Sequence, residues 1–188
     1  MSIDSVADQL LSQYLDPEAK EMQHIGSYEL PSDTHVERVI DMCRAILFPG
    51  YAGEDVARIG ASWLRTLVKE RIAELGGALR VQVYRALHHK RQQALGKTGE
   101  LTDRDCTDCA TRAEDIVGRF LSHLPELRTA IKLDLRAAYE ADPAATGIDE
   151  ILLTYPGTYA ITTYRIAHAL QREGAVIIPR MMTEIAHR

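Results

Sequence analysis

The chain is 188 residues long, 46% apolar and 26% charged, with a net charge of −5. That is long enough to bury a sizeable core. The acidic balance, with arginines spread out, leaves no electrostatic footprint for nucleic acid, and no apolar stretch reaches the length of a membrane span.

Three cysteines without a disulfide-framework spacing point to a reducing, cytoplasmic setting. The N-terminus, MSIDSVADQL, lacks the basic and apolar regions of a secretory signal. Residues 1–30 read as a leader. In it Leu10, Leu11, Tyr14 and Leu15 make one face of a short helix, Asp16-Pro17 ends it, and Gly26 to Pro31 is a loop.

Residues 31–188 read as one helical domain. Thr34 and Glu37 have the spacing of a capping box. Val36, Val39, Ile40, Cys43, Ile46 and Leu47 then repeat at helical period until Pro49-Gly50. From about Glu54 to Leu95 the pattern stays helical, with Trp63, Leu64, Leu67, Val68, Ile72 and Leu75 on one face. Gly76-Gly77 predicts a break or bend, beyond which Leu79, Val83 and Leu87 continue. His88-His89-Lys90-Arg91 reads as a solvated helix end whose cations complement the dipole. Gly96 to Gly99 reads as a turn.

Thr102 is the expected N-cap of the next helix, whose stripe is Cys106, Cys109, Ala110, Ala113, Ile116, Val117, Phe120, Leu121 and Leu124. Cys106-Thr-Asp-Cys109 invites a metal reading, zinc first, with His88-His89 as a loose source of further ligands. Both thiols fall on the apolar stripe, so core packing is the stronger reading and no metal is expected. Pro125 starts a helix that buries Leu127, Ile131, Leu135 and Ala138, with Asp134 at the edge. It runs into Asp142-Pro143-Ala144-Ala145, where Asp142 is the expected N-cap and Pro143 the first helical residue.

The final stretch, Tyr155 to Arg188, reads as two helices with a glycine hinge. In the first, opened by Gly157, Ala160, Ile161, Tyr164, Ala167 and His168 make one apolar stripe, and Tyr159, Ile166 and Leu170 a second. Thr162, Arg165 and Arg172 are left as a narrow polar face. Gly174 suits the closing left-handed position and Pro179 the first turn of the next helix. The apolar face of that helix, Ile178, Met181, Met182 and Ile185, is expected to need a partner. No window alternates like a strand, so the fold class is all-α, a multi-helix bundle of about seven to nine helices.

Two segments, DLRAAYEADPAA (Asp134 to Ala145) and YPGTYAITTYRIAHAL…IIPRMMTEIAHR, together resemble the serine O-acetyltransferases of cysteine biosynthesis, in the form with an extended helical N-terminal domain. The resemblance covers Asp134 to Arg188 strongly and the helices upstream more loosely. It implies transfer of an acetyl group from acetyl-CoA, the co-substrate, to the hydroxyl of L-serine, giving O-acetylserine. It implies a homo-oligomer assembled through the helical domain, and O-acetylserine sulfhydrylase as a partner of the full-length family. In the family a left-handed β-helix of hexapeptide repeats follows, and it supplies the catalytic general-base histidine and its orienting aspartate.

This sequence has no such repeats. The resemblance therefore implies the helical portion of the enzyme, from a truncated gene or a fragment, with residues 179–188 as the neck toward the β-helix. On that basis the chain holds no catalytic residue, binds no cofactor and is inactive alone. One family site transfers: Asp142, with Pro143 beside it, as the carboxylate that holds the amino group of serine. Asp134 also matches a family aspartate near the same pocket, with a helix-edge salt bridge as an equal reading. Tyr164, Arg165 and His168 match the family motif and read as packing and hydrogen-bonding residues. The other readings are a non-catalytic oligomerisation module and, more weakly, a small zinc-binding helical protein using Cys106 and Cys109.

Overall fold

The computed structural model describes residues 2–16, 24, 28–52, 56, 60–96 and 100–188. Among them the chain forms eight helices and no strand: α1 (Ile3–Tyr14), α2 (Asp33–Leu47), α3 (Ala61–Leu95), α4 (Asp103–Ser122), α5 (Leu124–Ala141), α6 (Ile148–Thr154), α7 (Pro156–Arg172) and α8 (Ile178–Ala186). The all-α expectation holds. Parts of four readings, at Pro17, around Gly26, over residues 53–55 and 57–59, and over 97–99, lie outside the described residues.

The long α3 carries α2 and α4 on its sides, and α7 and α8 pack against each other and against α2. The central layer is apolar, with Ile40, Leu75, Leu79, Ile116, Phe120, Ile166, Leu170, Ile178 and Met182 all fully buried. α5 lies on α7 and holds the short α6. α1 buries nothing: Leu11 is 52% and Leu15 71% exposed.

Five local readings change. His88 and His89 are half-buried inside α3, which continues to Leu95, so His88-His89-Lys90-Arg91 is not a solvated helix end. α2 begins at Asp33 with Ser32 as its N-cap, so Thr34 and Glu37 lie inside the first turns and form no box. The Ser32 N–H instead donates to the buried Gln82 amide oxygen at 3.1 Å. That contact fixes the start of α2 on α3. At the other end, Arg71 donates to the Ala45 carbonyl and Arg128 to the Leu47 carbonyl, at 3.1 and 3.0 Å. Two cations from neighbouring helices thus satisfy carbonyls the helix cannot pair itself.

α3 runs unbroken through Gly76-Gly77. A Cβ at Gly76 would stand 3.2 Å from Leu121 Cδ1, so the missing side chain lets α4 approach closely. The helix-breaking tendency of about 1 kcal/mol per glycine is outweighed by that packing.

α7 turns a different face inward from the one its apolar residues outline. Thr158, Thr162 and Thr163 are buried with Ile166, Ala167 and Leu170, while Tyr164 and His168 are exposed. Thr158 donates its hydroxyl proton to the Ile151 carbonyl at 3.0 Å. The Thr162 hydroxyl is buried without a protein partner. Removing an unpaired buried hydroxyl while keeping the side-chain shape recovers its desolvation cost. Thr162→Val is therefore expected to stabilise the chain by about 1 kcal/mol, read as a higher urea midpoint; a lower midpoint would contradict this account.

The face of α8 is covered by the chain itself, with Ile178, Met182 and Ile185 buried against α7 and α2. α7 ends as expected at Gly174, φ 93°, with the Ala175 N–H bonded to the Leu170 carbonyl and the Gly174 N–H to Gln171. This pair of bonds is the Schellman closure, and its positive φ calls for glycine. Ile177, φ 64°, then makes a three-residue turn closed by the Ile178 N–H on the Val176 carbonyl.

Candidate functional site

α4 and α5 meet at His123, and Pro125 sits in the first turn of α5, where its missing N–H costs nothing. α5 ends at Asp142 because the residue before a proline is pushed out of the helical region. Asp142 is the C-cap of α5, not an N-cap: Pro143-Ala144 is a turn, and the next helix waits until Ile148. The carboxylate folds back over that turn. Its Oδ1 accepts the Ala144 N–H at 2.9 Å, and its Oδ2 accepts the Tyr155 hydroxyl at 2.5 Å.

The Tyr155 hydroxyl, and after it the Ala144 N–H, hold the Asp142 carboxyl below the usual carboxylate range. The same bond pushes the Tyr155 phenol up to about 12. Asp142 is therefore ionised at neutral pH, and Tyr155 stays a donor. A carboxylate offers about four acceptor positions; two are used within the chain, leaving one on each oxygen for a ligand. Pro143 lies exposed beside it. Glu150, in the first turn of α6, accepts the Thr146 N–H and hydroxyl at 2.8 and 2.6 Å, and these bonds hold it below its ordinary range.

Asp134 lies two turns back along α5, about 12 Å away at 1.5 Å per residue. Arg165 of α7 grips it with both arms of its guanidinium, one bond being 2.6 Å, and Asp134 in turn pushes Arg165 up. The helix-edge salt bridge is therefore present and ties α5 to α7. The expectation that Arg165 serves internal bonding holds. Tyr164 and His168 differ: they stack at 6.1 Å with ring planes 4° apart, on the surface. They line a groove with His123, Glu126, Arg172 and Glu173. There His123 stands between Glu126, at 3.2 Å, and Glu173, at 3.3 Å, and Arg119 binds Glu173 at 2.7 Å. No sequence signal marks His123, which falls at a junction between two helices.

Thr102 caps α4 in a reciprocal box with Asp105. Thr102 and Arg91 hold the Asp105 carboxyl down to about 2. Cys109 is buried on α4, and burial pushes its thiol up, as it pushes the Cys43 thiol to about 12. Cys106 is half-buried, with its sulfur 3.8 Å from His88 Nε2. Among the described residues, no three His, Cys, Asp or Glu side chains are grouped so as to hold a metal ion. The nearest donors here are two cysteine sulfurs and one imidazole.

Fold and corner together define an all-α domain whose chemistry gathers at the end of α5. Residues 79–163 match the family model for the serine acetyltransferase N-terminal region. The plasmid serine acetyltransferase of Synechococcus elongatus is 29% identical over 185 residues, covering 98% of this chain and 56% of that protein. The Mycobacterium tuberculosis serine acetyltransferase is 43% identical over 56 residues, 30% of this chain and 24% of that one. Entamoeba histolytica serine acetyltransferase 1, solved with L-cysteine, superposes with a TM-score of 0.59 at 25% identity, over 97% of this chain and 57% of that one. Isoform 3 from the same organism shares the fold, with a TM-score of 0.59 at 21% identity, over 97% of this chain and 55% of that one. The chain is thus similar to the N-terminal helical part of serine acetyltransferases, and it spans about half the length of the relatives matched along its full extent.

Proposed function

We propose that this chain is the helical portion of a serine O-acetyltransferase acting in cysteine biosynthesis in the cytoplasm. The enzyme transfers acetyl from acetyl-CoA to the hydroxyl of L-serine, and the helical portion alone is inactive. The match along 98% of the chain to a serine acetyltransferase carries this reading. The geometry at Asp142 supports its chemical part: an ionised carboxylate, fixed by Tyr155 and Ala144, keeps an acceptor position open on each oxygen. Such a group suits the ammonium of serine, which it would hold through a charge-assisted hydrogen bond. Asp142 is the substrate contact, Pro143 shapes the turn beside it, and Asp134 serves the site through Arg165. The general base and its orienting carboxylate belong to the β-helical part, as do the acetyl-CoA contacts.

Two measurements test this. The DNA following the Arg188 codon is expected to encode hexapeptide repeats, and the whole product to release CoA from acetyl-CoA only when L-serine is added. The 188 residues alone are expected to give no O-acetylserine. Serine-independent CoA release by the whole product, or turnover by these residues alone, would overturn the respective half.

A second reading, a non-catalytic assembly module, is favoured by α1, which turns Leu10, Leu11, Tyr14 and Leu15 to solvent. The homo-oligomer, and a sulfhydrylase partner, belong with either reading. Sedimentation that returns a strict monomer at high concentration would remove the assembly role.

A further inference from the structure

Three histidines converge on one tyrosine beside α3. Tyr28, ahead of α2, lies with its hydroxyl 2.8 Å from His89 Nδ1. Its ring meets the edges of His88 and His24, each with centroids 4.7 Å apart. His24 Nε2 reaches the Tyr28 carbonyl at 2.7 Å, and the His24 and His89 rings are 6.2 Å apart. The neighbouring Glu29 is ion-paired with Arg85. These contacts, with the Ser32–Gln82 bond, hold the Tyr28 segment, residues 28–32, on α3.

We propose that this cluster is a proton-operated latch, closed when His88 and His89 are neutral and opened when they are protonated, releasing the Tyr28 segment from α3.

The groups facing the two imidazoles contain little to welcome a positive charge. From the leader come His24, Tyr28 and Glu29, and Glu29 is already paired with Arg85. From α3 itself come Tyr84 and Arg85, the former with its ring 5.6 Å from His88. From α4 come Cys106, Cys109, whose thiol burial pushes up, and Asp105, which Arg91 holds at 2.8 Å. Among the described residues, no carboxylate forms an ion pair with His88 or His89. His88 Nδ1 is buried without a partner, so a proton placed there has no acceptor. At His89, Nδ1 accepts the Tyr28 hydroxyl proton only while it is bare; protonation turns the acceptor into a donor. Burial lowers both groups, and the neighbouring histidines lower His89 further.

The sign follows from linkage. In the released segment both imidazoles regain a value near 6.5, so the released state binds protons at a higher pH than the docked one. Docking is fully present above that value and is lost as pH falls below it, by up to about a hundredfold in population for each pH unit while both protons are taken up.

Nuclear magnetic resonance on the whole chain tests this. His88 and His89 are expected to titrate below free histidine. Close contacts between the Tyr28 and His88 rings, present at pH 7.5, are expected to disappear by pH 5.0 while helix content stays constant. In His89→Gln, whose amide oxygen still accepts the Tyr28 hydroxyl, release is expected to shift to lower pH and become less steep. Contacts that survive at pH 5.0 with both rings protonated would overturn the latch. So would titration of both rings at or above the free value. If the variant is already released at pH 7.5, the wild-type titration alone decides.

Discussion

Phe120→Ala is expected to destabilise the bundle by about 4 kcal/mol, the loss for a fully buried phenylalanine that leaves a cavity behind. Phe120 is wholly inaccessible on α4, within the layer shared with α3 and α7. The surrounding helices are fixed: Gly76 lets α3 approach α4 closely at the adjacent Leu121, and the Schellman turn closes the end of α7. The site therefore has little room to collapse, which places the cost in the upper part of the range for such truncations. For a chain of this length the thermal midpoint should fall by about 10 °C. Urea unfolding followed by circular dichroism measures it. A loss below about 1 kcal/mol would mean that the layer around Phe120 is not closely packed.

Asp142→Asn, placed in the whole acetyltransferase, is expected to raise the KM for L-serine by about ten- to a hundredfold, the worth of one hydrogen bond to a charged group. The amide keeps an acceptor for the Ala144 N–H but loses the charge that meets the ammonium. Helix content should not change, because Asp142 lies after α5 and closes only a surface turn. A KM within twofold of wild type would remove Asp142 as the substrate contact. Its pH dependence has a definite sign. With its carboxyl held below the ordinary aspartate value by Tyr155, Asp142 keeps its charge down to that value, about pH 4, so its contribution to folding, and under the proposed function to serine binding, fades only as pH falls through the lowered value. A fall in serine affinity between pH 5 and 8 would have to arise from other groups.

Much of this was legible in the sequence, and the exceptions share a cause. The stripes of α2, α4, α5 and α8 stand where apolar spacing put them, because each buries a single face of large aliphatic side chains. α7 was read inside out along part of its length. Counting polarity ranks Tyr164 and His168 above Thr162, yet a threonine can pack its methyl inward and lend its hydroxyl to a carbonyl, as Thr158 does to Ile151. Gly76-Gly77 looked like a break because nothing local shows that Leu121 would lie against it. At the candidate site, Asp142 itself was readable from the Asp-Pro pair and its resemblance. Its partner Tyr155 was not, because thirteen residues and a short helix separate the two. The contribution of Ser32 to the start of α2 was hidden likewise, since Gln82 lies fifty residues away.

The pairing of α2 with α8 bears on the order in which a nascent chain can complete itself. α2 ends at Leu47 and α8 starts at Ile178, and Asp33 meets Arg188 at 2.7 Å. At about 5–20 residues per second, the ribosome delivers α8 roughly seven to twenty-five seconds after α2. Through that interval α2 lacks α8, and until α7 emerges it packs chiefly on α3, so Ile40 and Cys43, buried in the finished molecule, have an incomplete cover. The early helical pair is thus a waiting platform, exposed to chaperones or to other nascent copies until the last helix arrives to seal it.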